Sequence, residues 1–366
     1  MKKLYILIAP TITALAFVGV AVLVSGCGSS SSNSPNTNND QSLVIPLGDE
    51  VVGLSLTGPL SGKKAYKLDS SINIPNCWND SVNWVGSELY FGLSSASFTK
   101  LLAGQGLVRD MACSLPRDQG VDDYFDIYRA KLENGVWQTV YQNIDDINSD
   151  AGASVSGTTM AYTVYNPSGD WEIFLTEQIS EDVWNTPVAF ERNSTCLEDN
   201  AHVYANGTKI IFESTRLDSS GSTCDSNAEN HTLWFSEKTG SAWSAPTLIT
   251  GDPNVGDKNT QPWVDETNGY LYWTSDTECA CIRRIAWVND APVGSFETVI
   301  TPDILSLFSS TETADGKIVF VGEYSQSDKY AFVSCAQATD SGVVNDPDFY
   351  LGKWSMDVDL CVIPLE

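Results

Sequence analysis

Residues Ala205-Asn-Gly-Thr-Lys-Ile-Ile-Phe-Glu-Ser-Thr-Arg216 hold an Asn-Gly turn followed by a short apolar run that closes on an aromatic. Asn-Gly accepts the left-handed backbone of a tight hairpin, and Ile-Ile-Phe has the β-branched and aromatic character of a buried strand. The unit recurs as Gly86-Ser-Glu-Leu-Tyr-Phe91, Gly157-Thr-Thr-Met-Ala-Tyr162, Gly269-Tyr-Leu-Tyr-Trp273 and Gly316-Lys-Ile-Val-Phe320. Each copy precedes a strand of the type Asp126-Ile-Tyr128, Glu172-Ile-Phe174, Thr232-Leu-Trp234, Arg284-Ile-Ala-Trp287 or Tyr330-Ala-Phe332. Four copies then lead through an aromatic into a last strand: Trp137–Tyr141, Trp184–Val188, Trp243–Leu248 and Phe296–Val299. The closing aromatics stand 71, 50, 61 and 47 residues apart. Four strands in such an interval make one propeller blade.

The repeats predict an all-β fold, a β-propeller of five blades with four antiparallel strands each. No segment shows sustained helical periodicity. Strand-like runs also lie outside the repeats, at Leu43–Ile45, Val51–Leu56 and Leu360–Ile363. A ring of sheets hides its edges by pairing strands from both chain ends, so five blades is the first expectation and a sixth built from both ends the alternative. The pattern resembles the TolB-type propeller repeat, most closely in Ala205–Arg216 and next in Thr313-Ala-Asp-Gly-Lys-Ile-Val-Phe320. The resemblance covers residues 77–335 and implies fold rather than activity. Gly86 and Gly157 depart from it in lacking a preceding Asp, and only Gln261-Pro-Trp263 keeps its proline.

Met1-Lys2-Lys3 is followed by an uncharged run over residues 4–24 and by Val24-Ser25-Gly26-Cys27. That string resembles a bacterial lipobox, which implies removal of residues 1–26 and acylation of Cys27. A plain transmembrane anchor is the competing reading of a run this long. Gly28 stands where inner-membrane retention uses Asp, so the resemblance implies an outer-membrane lipoprotein of the cell envelope. Residues 27–41 form a Ser/Asn-rich tether, and residues 42–366 the propeller domain. The chain has 47 acidic and 20 basic residues, a formal −27; without Lys2 and Lys3 it carries −29. Such a charge repels nucleic acid. The membrane, through the lipid anchor, and an envelope protein or glycan are the expected partners.

Nine cysteines less Cys27 leave eight, an even number suited to an oxidising compartment. Cys77 and Cys113 occupy the same two places in repeat one as Cys196 and Cys224 in repeat three, so each pair is expected to be a disulfide. Cys335 with Cys361 is the third expected pair. Cys279 and Cys281 are left as a local disulfide, as free thiols or as a soft-metal site.

The chain has two histidines, His202 and His231, and no Gly-x-Ser-x-Gly or phosphate-binding glycine loop. Serine-hydrolase and nucleotide-dependent chemistry are thereby excluded. Polar side chains gather ahead of the first strand of each repeat: Asn79-Asp80, Asn148-Ser-Asp150, Glu198-Asp199-Asn200, Asn259 with Gln261, and Glu312. A propeller brings these segments to one mouth of its central channel. Asp80, Asp150, Glu198, Asp199 and Asn259, with Trp78 and Trp263 to stack on a sugar, are the candidate ligand-binding residues, and no catalytic residue is assigned. Calcium at Asp80, Asp150 and Asp199 is the candidate metal, while turn capping is the competing role for these side chains. Trp137, Trp184 and Trp243 recur in register as packing residues, and His202 reads as a structural histidine. The main functional expectation is a non-catalytic scaffold for protein or glycan; the alternative is an extracytoplasmic five-bladed glycoside hydrolase or lyase. Cys27→Ser is expected to abolish incorporation of labelled palmitate, and labelling that survives the change would refute the lipobox reading.

Overall fold

The repeat glycines adopt the left-handed backbone that their turns require, with φ of 62° at Gly86, 64° at Gly157, 76° at Gly207 and 71° at Gly269. The structure is a computed structural model that describes residues 44–366 apart from 99, 101–106, 116–123, 145–148, 166–170, 226–229, 257, 276–279, 304–315 and 340–355. The expected leader and tether, with Cys27, lie outside the described residues, as do Asn148, Cys279 and Glu312.

Three short strands come first: β1 (Leu47–Val51), β2 (Leu54–Leu56) and β3 (Ala65–Leu68). Blade one is β4 (Trp78–Val85), β5 (Glu88–Ser94), β6 (Phe125–Glu133) and β7 (Val136–Tyr141). Blade two is β8 (Ser149–Ser156), β9 (Thr159–Tyr165) and β10 (Trp171–Ser180), edged by β11 (Val183–Trp184) and β12 (Val188–Ala189). Blade three is β13 (Glu198–Tyr204), β14 (Lys209–Ser214) and β15 (Thr232–Thr239), edged by β16 (Ala242–Trp243) and β17 (Thr247–Leu248). Blade four is β18 (Asn259–Asp265), β19 (Tyr270–Ser275), β20 (Cys281–Val288) and β21 (Ala291–Pro302). Blade five contains β22 (Ile318–Gln326), β23 (Tyr330–Ala338) and β24 (Met356–Pro364). The first strands touch in the cyclic order β4, β8, β13, β18, β22 and back to β4, which closes a five-bladed ring.

Both chain ends complete the ring. In blade five β24 pairs with β3, with Val362 opposite Tyr66, and β1 pairs with β3 at the outer edge. In blade four β2 adds to β21, with Leu56 opposite Ile300. The ends are thus used up in blades four and five, and five sheets are present among the described residues. One part of the repeat reading shifts as a result. In blades one to four the Gly-turn unit opens the second strand, but Gly316–Phe320 leads into β22, the first strand of blade five, and Tyr330–Phe332 lies in the second. The closing blade takes its outer strands from the N-terminus, so its local sequence starts one strand early.

The recurrent aromatics fill the layers of the sheets. Phe91, Tyr162, Phe212 and Trp273 are fully buried. Phe91 stands opposite Tyr128, Tyr162 opposite Phe174 and Phe212 opposite Trp234 across the ladder between second and third strands, the pairing in which large side chains gain most on a sheet. Trp137, Trp184 and Trp243 are buried, in keeping with packing roles. Disulfides join Cys77 to Cys113, Cys196 to Cys224, and Cys335 on β23 to Cys361 on β24. Cys281 is also disulfide-bonded. Bonds of this kind persist in oxidising compartments. Among the described residues no helix is long and apolar enough to cross a membrane.

Gly207 supplies the sharpest test of the turn. A Cβ there would lie 2.1 Å from Thr159 Oγ1 and 2.6 Å from Thr159 Cβ of the neighbouring blade, on top of the left-handed strain. Gly240, at φ 66°, has nothing within 4 Å. Gly240→Ala is expected to cost about 1–2 kcal/mol from backbone strain alone, and Gly207→Ala about 1–3 kcal/mol more from overpacking. Urea unfolding of both variants measures the difference.

Candidate active site

Each first strand carries one extra residue against its partner, a β-bulge, at the same height in all five blades. The residue at each bulge has left-handed backbone: Ser81 at φ 63°, Gly152 at 64°, Asn200 at 45°, Gln261 at 51° and Glu323 at 49°. Bulges bend a strand and turn its N–H groups out of the ladder. Here those N–H groups are taken up by the preceding blade. Ser81 N donates to a Glu323 carboxylate oxygen, Gly152 N to Ser81 Oγ (3.1 Å) and Asn200 N to Thr163 Oγ1 (3.2 Å). Gln261 N donates to Glu213 Oε2 (3.0 Å), and Glu323 N to Gln261 Oε1 (3.1 Å). The five bonds run once around the axis. Where the accepting blade has only glycine at its bulge, as at Gly152, Thr163 from β9 of that blade supplies the acceptor.

A second tier lies two to three residues further along. Val155 N donates to Asn83 Oδ1 (3.0 Å), Val203 N to Ser154 Oγ (3.1 Å) and Trp84 N to Ser325 Oγ (2.6 Å). Between the tiers lies an axial cavity of about 40 Å³ lined by Asn83, Ser154, His202, Gln261, Trp263 and Tyr324 among others. That volume admits one or two waters, not a sugar ring. His202 Nδ1 lies 3.0 Å from Ser154 Oγ, and burial lowers the imidazole pKa to about 3, so the ring is neutral.

Two pairs of carboxyl groups are built into this ring. Asp80, just ahead of the Ser81 bulge, meets Glu323 from blade five. Burial raises the proton affinity of Glu323 well above the usual range, and the adjacent charge of Asp80 adds to it. Burial raises Asp80 as well, offset by donors from Glu323, Ser81 and Trp78. The pair therefore shares a proton. Asp199, just ahead of the Asn200 bulge, stands opposite Glu213 of β14 in the ladder. Burial, then the negative charge of Glu213, pushes the Asp199 pKa up to about 7. Glu323 and Glu213 are buried, whereas Asp80 and Asp199 keep partial exposure. Gln261 links the pairs, its N–H on Glu213 and its side-chain oxygen on the N–H of Glu323.

Asp80 and Asp199 are thus brought to one ring, but Asp150, Glu198 and Asn259 lie one residue earlier on their strands, where alternation sends the side chain to the other face. Glu198 is fully buried with Arg216 at 2.6 Å and also accepts Ser194 N at 2.9 Å. Asn259 receives Trp273 Nε1 and donates to the carbonyls of Val255 and Gly256. Asp150 is buried on β8 opposite Val164. Trp78 packs edge-on against Phe98 and Phe125, and Trp263 lines the cavity beside Tyr272, Tyr324 and His202. Among the described residues no group of three His, Cys, Asp or Glu side chains is placed to hold a metal ion. Glu213, Glu323 and His231 join the site without having been singled out in sequence. Glu323 was hidden by the shifted register of blade five, and Glu213 sits in the quoted repeat as an ordinary strand residue.

The raised affinity of Asp199 fixes a pH dependence. An unfolded Asp ionises near 4, so between about pH 4 and pH 7 the folded chain holds a proton that the unfolded chain has released. The stability this group contributes is complete below about pH 4 and is lost as pH rises through about 7. Wild-type unfolding free energy is expected to fall between about pH 4 and pH 7, and Asp199→Asn to flatten that fall. Equal slopes in urea titrations of the two proteins would place the proton elsewhere.

No known family profile matches the chain, and no curated protein matches it. Among solved structures it is similar to the α-L-arabinofuranosidase of Podospora anserina in complex with cellotriose, at 11% identity and a TM-score of 0.43 over 87% of this chain and 98% of that one. It is also similar to the GH43_1 enzyme from Xanthomonas citri complexed with xylotriose, at 9% identity and a TM-score of 0.43 over 80% of this chain and 88% of that one. TolB from Acinetobacter baumannii matches at 12% identity and a TM-score of 0.39 over 84% of this chain, which spans 65% of that chain's length. At these identities the likeness is one of fold. Glycoside hydrolases of families 43 and 62 recur among these structures, against the main expectation of a non-catalytic scaffold, which is thereby corrected; the enzymatic alternative stands as a proposal. In the ring itself, Asp80 and Asp199, expected as ligand contacts or turn caps, lie beside Glu323 and Glu213, and burial raises the proton affinity of Asp80, Asp199 and Glu323.

Proposed function

We propose that the chain is an extracytoplasmic glycoside hydrolase with Asp80–Glu323 and Asp199–Glu213 as its working acids. The observation that carries this reading is the presence of two carboxyl pairs on one propeller ring, joined through Gln261, with the proton affinities of Asp80, Glu323 and Asp199 raised. Glycoside cleavage needs one carboxyl group that keeps a proton to give to the leaving oxygen, and a second that is ionised to serve as base or nucleophile. A buried pair meets the first need at neutral pH, because two like charges side by side cannot both ionise. The partly exposed Asp80 and Asp199 are the members in reach of substrate, and Glu323 and Glu213 behind them tune their proton affinity. The axial cavity is too small for a sugar, so the substrate lies on the side of the ring toward these two aspartates. Trp78, within hydrogen-bonding reach of Asp80, is the nearest stacking surface among the candidate residues.

The lipobox-like string places this activity in the envelope, with acylated Cys27 holding the domain at the outer membrane, and the disulfides suit that compartment. A hydroxyl-rich neutral glycan fits a chain of formal charge −27 better than an anionic polymer does. The test is hydrolysis of xylan-, arabinan- and arabinoxylan-derived oligosaccharides followed by reducing-end release. Asp80→Asn and Asp199→Asn are each expected to lower kcat by at least about a hundredfold with little change in KM. Unsaturated products would assign a lyase instead. Turnover preserved in both variants would overturn the proposal.

A further inference from the structure

We infer that His231 is a positioning residue that holds the proton of the second carboxyl pair on Asp199, the member substrate can reach, and off Glu213. The functional weight of this inference rests on the reading of Asp199 as a working acid, but the geometry stands by itself. Glu213 Oε2 accepts from Asn200 Nδ2 (3.2 Å) and Gln261 N (3.0 Å), while His231 Nδ1 lies 2.9 Å from Oε1, with the imidazole assigned the tautomer that carries its proton on Nδ1. An amide N–H has nothing to accept with, so Oε2 cannot carry a proton without losing those bonds. Oε1 is then the better seat for a proton on Glu213, and an Nδ1–H of His231 pointing at it disfavours that proton. Asp199 is differently placed. Its Oδ1 receives Asn200 N at 2.7 Å, and its other neighbour is the Thr163 hydroxyl, which can donate or accept.

His231 is itself fixed from two sides. It lies immediately before β15, its carbonyl receives Asn259 N at 3.0 Å, and its backbone bridges that of Lys258 ahead of β18. The side chain therefore stands at the seam of blades three and four. The groups facing the pair are Asp199 and Asn200 on β13, Glu213 on β14, Thr163 on β9, Gln261 on β18 and His231, with the Lys258 backbone behind. Asn230, next to His231, is engaged with Asp225. Of the three donors on Glu213, Gln261 gives a backbone N–H and Asn200 belongs to the bulge. His231 is the one whose removal leaves the ring of inter-blade bonds intact.

The test reads the proton directly and needs no substrate. The full domain is labelled with carboxyl-¹³C Asp and Glu, and the two signals are assigned by their loss in Asp199→Asn and Glu213→Gln. In the wild type at about pH 5.5, below the Asp199 midpoint, the retained proton is expected to give its chemical shift on Asp199 and not on Glu213. His231→Val should move the proton toward Glu213 and raise the midpoint at which the pair loses it by about one pH unit. His231→Asn, whose amide can stand where Nδ1 stood, should restore the wild-type pattern. A wild-type Glu213 that is already protonated, or a His231→Val pattern identical to wild type, overturns the inference. The wild-type measurement decides it even if His231→Val does not fold. An inactive protein with the expected titration would sink the hydrolase reading and leave this one standing.

Discussion

A sheet that ends at a central axis leaves the inner edge of its first strand without a neighbour, and every N–H and C=O on that edge needs another partner. Most of the architecture answers this constraint. The five bulges turn one N–H per blade toward the adjacent blade, and a side chain from that blade receives it. Buried N–H groups without partners cost about 1–3 kcal/mol each, so the belt is a condition for the ring and not an ornament of it.

The same requirement explains why carboxyl groups are found so near the axis of a strongly acidic protein. Glu323 and Glu213 are the acceptors at two of the five links, where Ser81, Thr163 and Gln261 serve at the others. A carboxylate is the strongest acceptor available for a backbone N–H. Once it is placed there beside an aspartate, ionising both groups in a partly dehydrated ring is opposed by their repulsion, and the proton affinity of the pair rises. Under the proposed function, structure and chemistry use the same atoms. Substitutions at Glu213 or Glu323 would then disturb both together, whereas Asp80 and Asp199 accept none of the five belt bonds.

The blade-forming part of the fold was legible because it is written in local pattern: a turn glycine, an apolar run and a closing aromatic need only a dozen residues to be recognised. Two disulfides were legible for the same reason, since Cys77 and Cys113 repeat the places of Cys196 and Cys224. Of the site, Asp80 and Asp199 were found because they lie in polar segments ahead of strands. Glu198 and Asn259 shared that signal, and strand alternation alone separates them from the ring. Glu213 and Glu323 could not be read out, because nothing in Ile-Ile-Phe-Glu or Val-Gly-Glu marks a strand residue as facing an axis. A signal was present nonetheless. A polar or glycine residue one or two positions ahead of Val-Asn-Trp, Ala-Ser-Val and Ala-His-Val recurs at the bulges, and aligning on it would have placed Glu323 in the fifth unit.

The way the ring closes also governs when it can close. Tyr66 finds its ladder partner in Val362, at the other end of the described chain, so the inner edge of β3, opposite the one that pairs with β1, waits until the last strand is available. Contacts this distant in sequence slow folding, because loop closure must be completed before they contribute. A chain that reaches its compartment N-terminus first would expose β1, β2 and β3 throughout synthesis and export. Their brevity, with three residues in β2 and four in β3, keeps that exposed edge too short to template association with other chains.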